Sequence, residues 1–144
     1  MHILTNDLIK KYDTRDPIEL AECLDIRVIH EDLGMINGYY NEIKNFKFIH
    51  INSNLPDEQQ IFTAAHELGH ALLHERTNVA FFNSFTNMNT AKFEHEANLF
   101  ATFLLISDEV VEEYKHFSVP KLMEIYGLSE QLIIERFFAV QDET

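Results

Sequence analysis

The sequence predicts an α+β fold, a helical body carrying a small antiparallel sheet of about three strands. Three observations predict it. Apolar residues recur at helical spacing over residues 5–24 and again from residue 57 onward. Between Ile26 and Ile51 the period shortens, and β-branched and aromatic residues dominate. A chain of 144 residues, 46% of them apolar, has enough material to close one core. A single domain over residues 1–144 is therefore expected.

The first two helices fall at residues 5–12 and 17–24, the second opened by Asp16 as cap and by Pro17 in its first turn. Leu20, Cys23 and Leu24 mark its apolar side, so Cys23 reads as a buried filler rather than a nucleophile. Strands follow in IRVIH, GYY and FKFIHI, separated by Gly34, Asn37, Gly38 and the polar stretch NEIKN. Pro56 and the acids after it start a long helix that runs to about His74. Its apolar stripe of Ile61, Ala65, Leu68 and Leu72, widened by Phe62, Gly69 and Leu73, marks it as central and buried. Residues 76–90 read as a loop. A helix over residues 90–106 presents Phe93, Ala97, Phe100, Ala101 and Leu104, and two or three shorter helices complete the chain.

Composition narrows the function. Eleven Lys and Arg against twenty-four Asp and Glu give a net charge of −13, which argues against binding nucleic acid, because that affinity rests on cations neutralising phosphates. One cysteine excludes an internal disulfide and suits a reducing compartment. The first sixteen residues have no charged head followed by an apolar run, and no stretch approaches a membrane span. A cytoplasmic setting without membrane contact is expected.

The chemistry is concentrated in FTAAHELGHALLH. His66 and His70, four residues apart, project from the same face of a helix and can share one Zn2+ ion. Glu67 stands beside them as a general base for the attacking water, so His66-Glu67-Leu68-Gly69-His70 is a HEXXH metal motif. Two imidazoles and a carboxylate on a buried helix would be costly without a metal or hydrogen-bond partners. Gly69 costs about 1 kcal/mol against Ala mid-helix, and its missing side chain would admit a close neighbour such as the helix of a third ligand.

Such a site needs a third protein ligand and an open fourth position. His74, Glu75, Glu94, His95, Glu96, Asp108 and His116 lie downstream. His74 suits hydrogen bonding or capping better than ligation. Glu96, in step with Phe93, Phe100 and Phe103, falls on the buried side of its helix, whereas Glu94 and His95 fall nearer the wet side.

The blocks GYYNEIKNFKFIHIN, IFTAAHELGHALLH and EHEANLFATFLL, within residues 20–106, resemble the ImmA/IrrE group of zinc metallopeptidases. The resemblance implies a zincin-like HEXXH helix followed by a helix reading E-A-N-x-F-A, with the Glu before Ala-Asn as third ligand. That residue is Glu96. It further implies an endopeptidase, typically of a phage or mobile element, that relieves repression by cleaving a cognate helix-turn-helix repressor. Gln59 and Gln60 replace the group's usual basic residue, and Ile106 and Ser107 depart from its Leu-Leu-Met-Pro ending. Neither change touches the metal or the base.

Tyr39, Tyr40 and His50 could donate a hydrogen bond to an oxyanion, although packing is the commoner use of such residues. Phe81, Phe82 and Phe85 could line a cleft, with the same reservation. VPKLMEIYGLSEQLIIERF has the cadence of a helix-turn-helix, but its second helix offers only Arg136 against Glu130 and Glu135, which favours a packed hairpin. The competing reading of the whole chain is an antirepressor that contains a metal and acts by contact alone. A base at Glu67 would then have no purpose.

Overall fold

The computed structural model describes residues 1–74 and 87–139, with backbone alone at 87–89. Helices α1 (His2–Tyr12) and α2 (Pro17–Cys23) precede three strands, β1 (Ile26–Glu31), β2 (Gly38–Ile43) and β3 (Phe46–Asn52). Helices α3 (Asp57–Leu73), α4 (Asn87–Leu105), α5 (Asp108–Tyr114), α6 (Val119–Tyr126) and α7 (Glu130–Ile133) follow, and α7 widens into a π turn over Ile134–Phe138. The fold is α+β. Asp16 caps α2 as expected, its side chain accepting the Ile18 N–H; Ser129 likewise accepts the Leu132 N–H, and Gly127 ends α6 at φ 66°.

The sheet has the expected three strands but is mixed rather than antiparallel. Strand order is β1-β3-β2, with β2 antiparallel and β1 parallel to β3. The physical reason lies in β3, whose Ile49 and Ile51 are fully buried and which occupies the centre. When the β2–β3 hairpin docks by its more apolar strand, that strand runs in the direction of β1. Cys23 is a second correction. It is exposed, because Leu20 and Ala21 carry the buried face of α2 and the helix ends at Cys23 itself.

The main core joins Leu20, Ile26, Ile49 and Ile51 to Ala64, Ala65, Leu68 and Ala71 of α3 and to Phe100, Ala101 and Leu104 of α4. A second cluster forms from Ile106, Leu122, Ile133 and Phe137. The apolar faces of α6 and α7 are thus used in packing, as the hairpin reading expects. Buried Arg136 links this cluster to the end of α4 by donating to the Ile106 carbonyl oxygen at 2.7 Å and to Asp108 at 2.8 Å.

Gly38 fixes how closely β2 approaches the central helix. A Cβ at this position would lie 2.5 Å from the His50 carbonyl oxygen and 2.6 Å from Cγ2 of Thr63 on α3. The carbonyl belongs to the backbone of the central strand and cannot swing aside. Gly38→Ala is therefore expected to destabilise the fold by about 1–3 kcal/mol, the usual cost of overpacking. Urea unfolding would show a lower midpoint with an unchanged slope.

Candidate metal centre

Helix α3 carries His66, Glu67 and His70 through the main core. Ala64, Ala65, Leu68 and Ala71 are fully buried around them. Gly69 meets α4 as its missing side chain suggested: a Cβ there would lie 3.1 Å from the Phe100 Cβ and 3.2 Å from the Ala97 Cα. This close crossing brings the N-terminal half of α4 over the His pair.

The carboxylate that reaches them is Glu94. Its Oε2 lies 2.8 Å from His66 Nε2, and its Oε1 lies 3.2 Å from His70 Nε2. One donor atom from each of the three residues falls within 4.8 Å of the other two. For comparison, donors about 2.0–2.1 Å from a tetrahedral zinc stand roughly 3.3–3.4 Å apart, so the two Glu94 contacts need to open only by a few tenths of an ångström to admit an ion. Two imidazoles and one carboxylate also form a donor set that suits zinc with a fourth position free.

Glu96, the expected third ligand, is not the acid that the structure brings to this pair. Glu96 lies beside His74, with Oε1 3.4 Å from His74 Nε2, rather than beside the pair His66 and His70. Exposure could not separate the two acids, since their side chains are 39% and 36% exposed. What separates them is the crossing point at Ala97. Glu94 lies one helical turn before Ala97, on the side that faces His66 and His70, while Glu96 flanks the same stripe from the other edge.

The sequence reading gave Asn98 no role beyond its place in a motif. In the structure its Oδ1 accepts from His66 Nδ1 at 2.7 Å, which leaves Nε2 of that ring facing Glu94. The available signal was its spacing from Glu94, four residues along the same helical face. His74 is hydrogen-bonded, as expected, with Nδ1 3.0 Å from His70 Nδ1.

The groups of the cluster shift one another's protonation. Burial works against ionisation of Glu94, yet hydrogen bonds and charge from His66 and His70 hold its carboxyl well below the usual carboxylate range. Burial likewise opposes a charged His66, but Glu94, Glu67 and Asn98 outweigh it and raise its pKa. Glu67 is pushed up by burial, against the pull of His66 and His70. Its Oε2 stands 3.9 Å from His66 Nε2, at the edge of the cluster rather than inside it.

Residues 21–138 match the family model of peptidase M78, the IrrE N-terminal-like domain. The chain belongs to this family. It is 43% identical over 128 residues to uncharacterized immunity region protein 2 of Bacillus phage phi105, covering 87% of this chain and 81% of that one. It is 32% identical over 138 residues to metallopeptidase ImmA of Bacillus subtilis (strain 168), covering 85% and 80%. A Mycobacterium tuberculosis transcriptional regulator shares the fold at TM-score 0.60 and 16% identity, and the chain spans 47% of that structure's length. The ImmA/IrrE resemblance is therefore borne out, and the chain is a member of a metallopeptidase family.

Tyr39, Tyr40 and His50 are engaged within the sheet. Tyr39 stacks on His50 with ring centroids 4.2 Å apart, His50 Nε2 lies 2.9 Å from Asn41 Oδ1, and the Tyr40 hydroxyl donates to Glu42 at 3.3 Å. His95 pairs with Glu135 at 3.0 Å. Phe81, Phe82 and Phe85 lie outside the described residues. Among the described residues, no helix is long and apolar enough to cross a membrane.

Proposed function

We propose that the chain is a zinc endopeptidase of the HEXXH type that acts in the cytoplasm as a single domain. Its substrate is one partner protein, a helix-turn-helix repressor of a phage or mobile element, and cleavage relieves repression. The observation that carries this reading is the convergence of His66, His70 and Glu94 with Glu67 alongside. The relative from the immunity region of a phage and the relative called a metallopeptidase support it from outside.

His66, His70 and Glu94 would hold the metal, which when bound supplies Lewis-acid polarisation of the scissile carbonyl and of water. The chain's own residues do the rest. Glu67 takes a proton from the attacking water and passes it to the leaving amine. Asn98 keeps His66 in the tautomer that presents Nε2. Burial around α3 limits bulk water, so each charge acts more strongly than it would at the surface.

Co-expression with the repressor encoded beside the gene tests the proposal. Immunoblotting should show repressor fragments that disappear in Glu67→Gln and in cells starved of zinc. Full relief of repression by Glu67→Gln, with no fragments, would overturn cleavage in favour of an antirepressor acting by contact.

A further inference from the structure

His74 and Glu96 lie outside the metal-binding set, yet they form an ordered chain leading into it. His70 Nδ1 and His74 Nδ1 are 3.0 Å apart, and His74 Nε2 is 3.4 Å from Glu96 Oε1. His74 is buried at the end of α3, its backbone N–H bonded to the His70 carbonyl at 2.8 Å. The Phe93 ring packs on its imidazole at 4.2 Å. The ring is therefore held by contacts on several sides.

Proton positions along this chain are constrained. A hydrogen bond between two Nδ1 atoms requires one N–H and one lone pair. If His74 supplied the N–H as a neutral ring, its Nε2 would turn a lone pair towards the Glu96 carboxylate, which is repulsive. If Glu96 instead accepts from His74 Nε2–H, a neutral His74 has its lone pair on Nδ1. His70 must then donate from its own Nδ1, which in the neutral ring leaves Nε2 with a lone pair. That nitrogen faces Glu94 Oε1 at 3.2 Å. In the neutral ring two acceptors meet there, and either a proton on Nε2 or a metal cation between them resolves the conflict.

Resting on the metal-centre reading above, we infer that His74 and Glu96 are positioning residues that lock His70 into its Nδ1–H tautomer and so keep Nε2 ready for the metal. They serve His70 as Asn98 serves His66. Both ligand histidines thus have an outer hydrogen-bond partner, one from α4 directly and one from α4 through His74.

Zinc affinity, measured by chelator competition, tests this in wild type and three variants of the full chain. His74→Leu preserves bulk but removes the acceptor, and it should weaken zinc binding about 10–100-fold, the usual effect of losing an outer partner. His74→Asn places Oδ1 near the lost Nδ1 and should recover most of the affinity. Glu96→Gln should weaken binding less than His74→Leu, because an amide oxygen still accepts but no longer dictates the proton's position. Two-bond 1H–15N spectra of the chelated wild type should show His70 protonated on Nδ1. They should show a mixture of tautomers in Glu96→Gln.

The outcomes separate. Wild type without zinc affinity overturns the metal centre and this inference together. Wild type with zinc, beside a His74→Leu chain of equal affinity, overturns the positioning role alone. So does a His70 ring protonated on Nε2 in the wild type. If His74→Leu fails to fold, the tautomer spectra and His74→Asn still decide.

Discussion

Glu94→Gln should cost the chain most of its zinc, while Glu96→Gln leaves a bound ion. Three arguments set the size of the difference. Glu94 is the acid whose two oxygens face both Nε2 atoms, at 2.8 and 3.2 Å, so its loss removes a ligand and a negative charge from the position of the ion. Its carboxyl stays ionised despite burial because the two imidazoles favour the anion, the same preference that a divalent ion would exploit. Among the described residues Glu96 reaches His74 and neither His66 nor His70, and losing an outer partner typically costs about 10–100-fold. The loss at Glu94 should exceed that range. Metal content after dialysis against a weak chelator is the measurement. A zinc-free Glu96→Gln beside a zinc-loaded Glu94→Gln would return the third position to Glu96.

This pair of acids shows where sequence reasoning works and where it ends. His66, Glu67 and His70 could be placed together because a helix fixes the geometry of residues four apart, and nothing beyond α3 is needed to put both imidazoles on one face. The extents of α3 and α4 were legible for a related reason: apolar periodicity and an initiating Pro56 are local signals. The carboxylate that meets the pair is not local. Glu94 and Glu96 flank the same buried stripe with nearly equal exposure, and the choice depends on where α4 crosses α3. That crossing is set by Gly69 against Ala97 and Phe100, a contact the sequence hints at through an otherwise costly helical glycine but does not locate. The direction of β1 was hidden similarly, since strand patterning reports which face is buried and not which neighbour pairs. Cys23 shows the limit of periodicity at a helix end, where one residue of overrun moves a side chain from the core to solvent.

Glu67→Gln should lower the cleavage rate by about 10²–10⁴, the range expected for a lost general base, with zinc content unchanged. The same substitution should make the metal-free chain more stable. Glu67 is only 7% exposed, and burial raises its carboxyl above the usual range despite the nearby imidazoles. The unfolded chain releases that proton at lower pH than the folded chain does. Between the two pKa values the wild type therefore loses stability as pH rises, and the full loss is present above the folded value. A neutral amide of the same shape does not pay it. In excess chelator at neutral pH, Glu67→Gln should melt higher, by about 2–4 °C for each kcal/mol relieved. The difference should shrink as pH falls and vanish below the ordinary carboxylate range, where Glu67 itself is protonated in both states. Rate and stability then move in opposite directions at one residue, as expected of a base kept in a position that folding alone would not choose. Equal melting at neutral pH would overturn the burial argument, and wild-type turnover by a zinc-loaded Glu67→Gln would overturn its role as base.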